Sequence, residues 1–85
     1  MPFVEREQVL DVVRRLATEL LDAAPEAVHD GTHFVDDLAV DSLALVEYAM
    51  ALEDALSIRL SEDELNEVQT VGQLVDLLTA KRAAA

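Results

Sequence analysis

Residues 41–56 read Asp-Ser-Leu-Ala-Leu-Val-Glu-Tyr-Ala-Met-Ala-Leu-Glu-Asp-Ala-Leu. Asp41 suits an N-cap, because its carboxylate can accept a backbone N–H of the kind that every helix start leaves unbonded. Strong helix formers follow with no glycine or proline among them, so a helix is expected from Ser42 to about Leu56. Winding these residues at roughly 100° per residue separates two apolar stripes. Leu45, Tyr48, Ala49, Leu52 and Leu56 fall on one side and are the expected core face. Leu43, Val46 and Met50 recur at i, i+3 and i+7 well away from it, flanked by Glu47, Glu53 and Asp54. Two placements give such a helix. Either neighbours bury it on two sides, or the second stripe is a binding face with an apolar centre and an anionic rim.

Upstream, Val9, Leu10, Val13, Leu16, Ala17, Leu20 and Leu21 recur at helical spacing, which predicts an amphipathic helix over about 4–22. Pro25, Asp30, Gly31 and Thr32 then break the pattern over a connection approaching twenty residues. Val28, Phe34, Val35, Leu38 and Val40 should pin that long loop to the core. Downstream, Ser61-Glu62-Asp63-Glu64 and Thr70-Val71-Gly72-Gln73 are capping boxes. The first opens a short helix, and the second a longer one reaching Lys81 and Arg82, with Ala83 to Ala85 expected to fray. The expected fold is an all-α, small four-helix bundle: three principal helices plus one short one, with a long first loop. No internal repeat or linker interrupts 1–85, which reads as a single domain.

Composition narrows the function. Eighty-five residues, 52% of them hydrophobic, support one small core but no cleft between two lobes. There is no cysteine for a disulfide or thiolate metal site. Six Lys and Arg against eighteen Asp and Glu leave a net charge of −12, a field that repels nucleic acid and anionic membranes and favours proteins presenting basic patches. Between Leu16 and Ile58 there is no Lys or Arg, while ten Asp and Glu lie there. A merely solvated face usually mixes both signs. No apolar run approaches the ~20 residues of a membrane span, and Met1-Pro2-Phe3-Val4-Glu5 lacks signal-peptide order. A cytoplasmic chain, monomeric when free, is expected.

Phe34-Val35-Asp36-Asp37-Leu38-Ala39-Val40-Asp41-Ser42-Leu43, then Val46-Glu47, Met50-Ala51-Leu52-Glu53 and Thr70-Val71-Gly72-x-Leu74-Val75, resemble the acyl carrier proteins over nearly the whole chain. The resemblance implies a non-catalytic carrier subunit. Ser42 would be the hydroxyl to which a phosphopantetheinyl transferase attaches 4′-phosphopantetheine from coenzyme A, whose thiol carries acyl groups as thioesters. Asp41 would cap the helix and help the transferase and its metal ion recognise the serine. Leu43, Val46, Glu47, Met50, Glu53 and Asp54 would meet partner enzymes, an acyltransferase, ketosynthase or acyl-loading ligase, through apolar pockets and basic docking patches. Val35, Leu52, Leu60, Leu65 and Val68 could line an acyl groove between the second and third helices, or be plain core.

Some positions depart from the family pattern. Ala39 stands where a glycine is common, which puts the local turn in question: if φ is positive there, alanine costs about 1 kcal/mol. Ala44 replaces the acid frequent in bacterial fatty-acid carriers, so Ser42-Leu43-Ala44-Leu45 looks more like polyketide or secondary-metabolite carriers. Leu56 stands in place of an aromatic and Ser61 in place of a proline. Val40-Asp41 lacks the glycines that usually precede the serine of peptidyl carriers. An aminoacyl or peptidyl carrier and an unmodified acidic interaction module stay open as alternatives. His29 and His33 flank Gly31 in a loop and read as solvated residues, not metal ligands. Asp36-Asp37-x-x-x-Asp41 lacks calcium-loop spacing, and no Gly-x-Ser-x-Gly elbow serves a hydrolase.

Overall fold

The computed structural model describes residues 2–84, with side chains from 5 to 83. Its elements are α1 (Pro2–Leu20), a single 3₁₀ turn (Pro25–Ala27), α2 (Ser42–Leu56), α3 (Glu62–Glu67) and α4 (Val71–Ala84). This is the expected all-α arrangement with shifted ends. α1 starts two residues early, since proline in a first turn gives up only an N–H that would be unbonded anyway. It also stops two residues early, because Asp22 turns to φ 58° and the Leu21 and Ala23 N–H groups fold back onto the Ala17 carbonyl at 2.9 and 3.3 Å. α4 continues through Ala83 and Ala84, held near its end by Lys81 on Glu64 at 2.9 Å and Arg82 on Glu5 at 2.8 Å; the fraying expected of Ala85 lies outside the described residues.

α1 packs against both α2 and α4. It contributes Val9, Val13 and Ala17 to the core, α2 contributes Tyr48, Ala49, Leu52 and Leu56, and α4 contributes Val71, Leu74, Val75 and Leu78. The long loop adds Val28, Phe34 and Val40, so its apolar residues do anchor it, apart from the exposed Val35. Leu20, expected on the buried stripe of α1, is 51% exposed because the helix ends there.

Backbone bonds fasten the loop to the start of α4. Val71 N–H reaches the Thr32 carbonyl, Gly72 N–H the Asp30 carbonyl and Phe34 N–H the Gln69 carbonyl, at 2.9 to 3.0 Å. Gly72 is required by this approach, since a Cβ there would sit 2.8 Å from the Asp30 oxygen. The buried Thr32 hydroxyl donates to Ala27 O at 2.6 Å and accepts the His29 N–H at 3.0 Å. Arg6 adds a clamp from α1, 3.4 Å from Asp30 and 2.9 Å from Asp76.

Both capping boxes form. Ser61 and Glu64 exchange hydrogen bonds, Glu64 N–H to Ser61 Oγ at 3.1 Å and Ser61 N–H to Glu64 Oε1 at 2.9 Å. Gln73 N–H donates to Thr70 Oγ1 at 3.2 Å, while Gln73 Oε1 accepts from the Thr70 and Gln69 N–H groups. α2 ends at Ser57, which takes φ 55° and donates its N–H to the Glu53 carbonyl. α3 is one short turn and a half that buries none of its residues.

Candidate functional site

The chain reaches α2 through a tight turn. Asp37 and Leu38 N–H groups bond to the His33 carbonyl, Ala39 N–H to Val35 O at 3.1 Å and Val40 N–H to Phe34 O at 3.0 Å. The His33 N–H in turn donates to Asp37 Oδ2 at 2.8 Å. Reversing direction this sharply puts Ala39 at φ 55°, the conformation in which a Cβ crowds the following carbonyl at a cost of roughly 1 kcal/mol. The question left by the alanine is thereby answered: the turn forms despite it.

Asp41 then caps α2, its Oδ1 accepting the Ala44 N–H at 2.8 Å, and Leu45 N–H bonds to the Asp41 carbonyl at 3.0 Å. Ser42 follows as the first helical residue, exposed to solvent. Among the described residues no protein acceptor meets the Ser42 or Leu43 N–H. An exposed hydroxyl therefore stands beside two free donors at the positive end of a fifteen-residue helix, a setting that suits an anionic group on that oxygen.

Beyond Ser42 the second apolar stripe is open. Leu43 is 69%, Val46 46% and Met50 60% exposed. Burial on two sides is therefore excluded within the chain, and the exposed-face placement stands. Glu47 and Asp54 are exposed beside the stripe and form no ion pair among the described residues. Glu53 differs: it is half-buried, and its Oε2 accepts the Leu60 N–H at 2.7 Å across the turn that follows α2. The paired cations Arg6, Arg14, Lys81 and Arg82 all sit on α1 and α4.

A cleft of about 430 Å³ opens between the 33–40 turn, α2 and α3. Phe34, Val40, Leu45, Leu65 and Val68 supply most of its apolar lining, with Val35, and His33, Asp36, Asn66 and Gln69 add polar groups. Of the five groove candidates, Val35, Leu65 and Val68 line it. Leu52 is fully buried in the core and Leu60 packs against the core, so neither reaches the cleft. Phe34, Val40, Leu45, Asn66 and Gln69 were not expected there. Val40 and Leu45 bracket Ser42 in the sequence, which was the available signal; Asn66 and Gln69 arrive only through the placement of α3. His33 lies at the cleft with Nδ1 4.0 Å from Asp36 Oδ2, and His29 is exposed.

The family model described as "Phosphopantetheine attachment site" matches residues 11–78. The acyl carrier protein of Caulobacter vibrioides is 43% identical over 75 residues, which is 88% of this chain and 96% of that protein. The acyl carrier protein of Phenylobacterium zucineum is 41% identical over 76 residues, 89% of this chain and 96% of its own. That of Wolinella succinogenes is 37% identical over 67 residues, 79% and 88% respectively.

The chain belongs to the acyl carrier protein family. An acyl carrier protein is a non-catalytic carrier with covalently attached 4′-phosphopantetheine, served by a phosphopantetheinyl transferase and by synthase enzymes. The entrance to α2 fits that group, offering an accessible hydroxyl and free backbone donors for a phosphodiester. No helix among the described residues of this acyl carrier protein is long and apolar enough to cross a membrane.

Proposed function

We propose that Ser42 bears the 4′-phosphopantetheine and that α2 presents it to partner enzymes, so that the protein ferries acyl intermediates between them. The observation that carries this reading is the exposed Ser42 hydroxyl at the head of a helix whose outward stripe, Leu43, Val46 and Met50, is itself exposed. When attached, the arm supplies a thiol that holds acyl groups as thioesters. The chain's own residues do the rest. Asp41 holds the first turn in shape, and the free Ser42 and Leu43 N–H groups face the phosphodiester's charge, partly offsetting its repulsion from Asp41. Leu43, Val46 and Met50 enter apolar pockets on the transferase, acyltransferase, ketosynthase or loading ligase, while Glu47, Glu53 and Asp54 meet their Lys and Arg side chains. Each exposed ion pair contributes below ~1 kcal/mol, so release is fast, as a shuttle requires.

The cleft beside Ser42 serves the cargo in this reading, with Val35, Leu65 and Val68 against the chain. Ala44 in the first turn of α2, in place of an acid, supports polyketide or other specialised synthesis over primary fatty-acid synthesis. Elongation assays with one ketosynthase of each type test that assignment; faster turnover with the fatty-acid enzyme overturns it.

The attachment itself is tested by intact mass after incubation with coenzyme A, magnesium and a promiscuous phosphopantetheinyl transferase, alongside Ser42→Ala. The parent alone should gain one phosphopantetheine, and the variant should keep its helicity. No gain by folded, unmodified parent protein would favour an acidic interaction module instead.

A further inference from the structure

Asp30-Gly31 is the one Asp-Gly pair in the sequence. It occupies the middle of a tight turn, closed by the Thr32 N–H on the His29 carbonyl at 3.0 Å, and both residues are exposed. Gly31 has no Cβ to crowd an atom approaching its nitrogen. Its N–H meets no protein acceptor among the described residues. Apart from its chain neighbours, only the His29 imidazole comes near, with Nδ1 3.6 Å from where a Cβ on Gly31 would stand.

Asp30 is meanwhile held at two points. Its carboxylate oxygens lie 3.4 to 3.5 Å from the Arg6 guanidinium, and its carbonyl accepts the Gly72 N–H at 2.9 Å. The first hold is long and largely exposed, so it contributes below ~1 kcal/mol. The second is half of a staple whose other half is Val71 N–H on the Thr32 carbonyl. A change in the backbone at residue 30 therefore reaches α4 directly.

We propose that Asp30 isomerises to isoaspartate through Gly31, that Arg6 restrains the step, and that the conversion unfastens the loop from α4. The Gly31 nitrogen attacks Asp30 Cγ, its proton passes to the His29 imidazole, and the carboxyl hydroxyl, protonated from solvent, leaves as water. A five-membered succinimide ring results. Water then adds back and opens the ring; opening at the α carbonyl sends the main chain through Cγ and leaves the α-carboxylate as a side branch. The water lost in the first step returns in the second, so no co-reactant is needed. Arg6 slows the sequence because the carboxyl must leave the guanidinium before it can react. In the product the oxygen that Gly72 used belongs to the side branch, and the link from residue 30 to Gly31 is one backbone atom longer. The bonds to the adjacent N–H groups of Val71 and Gly72 then lose their common register.

The test ages the folded, isotope-labelled full chain in warm, mildly acidic buffer and digests it with a protease that cuts before aspartate but not before its isomer. The cut at residue 30 should fade with time while the mass of the reopened chain stays unchanged. A cut at residue 30 that persists, or fading at Asp41 beside Ser42 instead, overturns the proposal. Gly31→Ala, for which the turn has room, should nearly abolish the fading, and an unchanged rate would exclude attack by that nitrogen. Arg6→Gln should speed it about threefold, the scale of one exposed ion pair. Asp76→Asn breaks the other arm of the Arg6 clamp and keeps the Asp30 contact, so it should not; equal acceleration makes Arg6 a general brace and overturns its restraining role. His29→Ala should slow the fading, and an unchanged rate removes the imidazole from the step. Circular dichroism confirms the fold of each variant. By NMR the isomer gives a second set of amide peaks, in which Val71 and Gly72 should exchange about tenfold faster, the scale of one hydrogen bond; equal exchange in the two sets overturns the unfastening.

Discussion

The Tyr48 hydroxyl on α2 donates to the Val13 carbonyl oxygen on α1 across 2.6 Å of buried core. With the Phe34 ring tilted against Tyr48 at 6.0 Å, this fixes the rotation of α2 about its own axis, and the outward direction of Leu43, Val46 and Met50 follows. Tyr48→Phe should cost about 1 kcal/mol by urea unfolding. Burial also pushes the phenol upward from its ordinary 10.0. The neutral ring is the form the fold favours, so its contribution is whole below the unfolded pKa and is lost as pH rises beyond it. An absorbance titration should show tyrosinate appearing only as the protein unfolds in base.

Ala39→Gly should stabilise the protein by about 1 kcal/mol, since it removes the Cβ strain at φ 55°. Thermal unfolding checks this. A lower melting temperature in the variant would mean that the turn is not under strain.

Gly72→Ala should destabilise by about 2 kcal/mol through overpacking, because the new methyl would meet the Asp30 carbonyl at 2.8 Å. The loss should be accompanied by faster amide exchange at Val71 and residue 72, whose N–H groups carry the loop.

Glu64 predicts behaviour in acid. The backbone N–H of Ser61, and after it Lys81, holds this carboxyl below its ordinary value. Its stabilising effect is present above the unfolded glutamate pKa and is lost as pH falls through the lowered folded value. Glu64→Gln should therefore destabilise the protein near neutrality and flatten the acid limb of the stability curve. Parallel curves for the two proteins would contradict this.

Glu47→Lys should leave melting nearly unchanged, because the side chain is exposed and forms no ion pair among the described residues, yet slow processing by a partner enzyme several-fold at low salt, with the difference shrinking as salt rises. Equal rates for variant and parent at low salt would remove Glu47 from the docking face.

Much of this was legible in local chemistry. The caps at Asp41, Ser61 and Thr70 are short-range bonds written in adjacent residues, and each formed as read. The two stripes of α2 followed from helical periodicity alone, which also set Leu43, Val46 and Met50 apart from the core. What could not be read depends on residues brought together across the chain. The Glu53 carboxylate finds an N–H seven positions on, around a turn whose path no local rule dictates. The cleft depends on where α3 comes to rest, which is why Asn66 and Gln69 were missed; Leu52, by contrast, is buried as its place on the core stripe of α2 predicts. Gly72 looked like part of a capping box, but the need for glycine comes from Asp30, far away in sequence.

The segregation of charge has a last consequence. With the paired cations on α1 and α4 and none on α2, the molecule is an electric dipole as well as an anion. A basic surface therefore exerts a torque on it in addition to a pull. That torque swings α2 toward such a surface while water still separates the two.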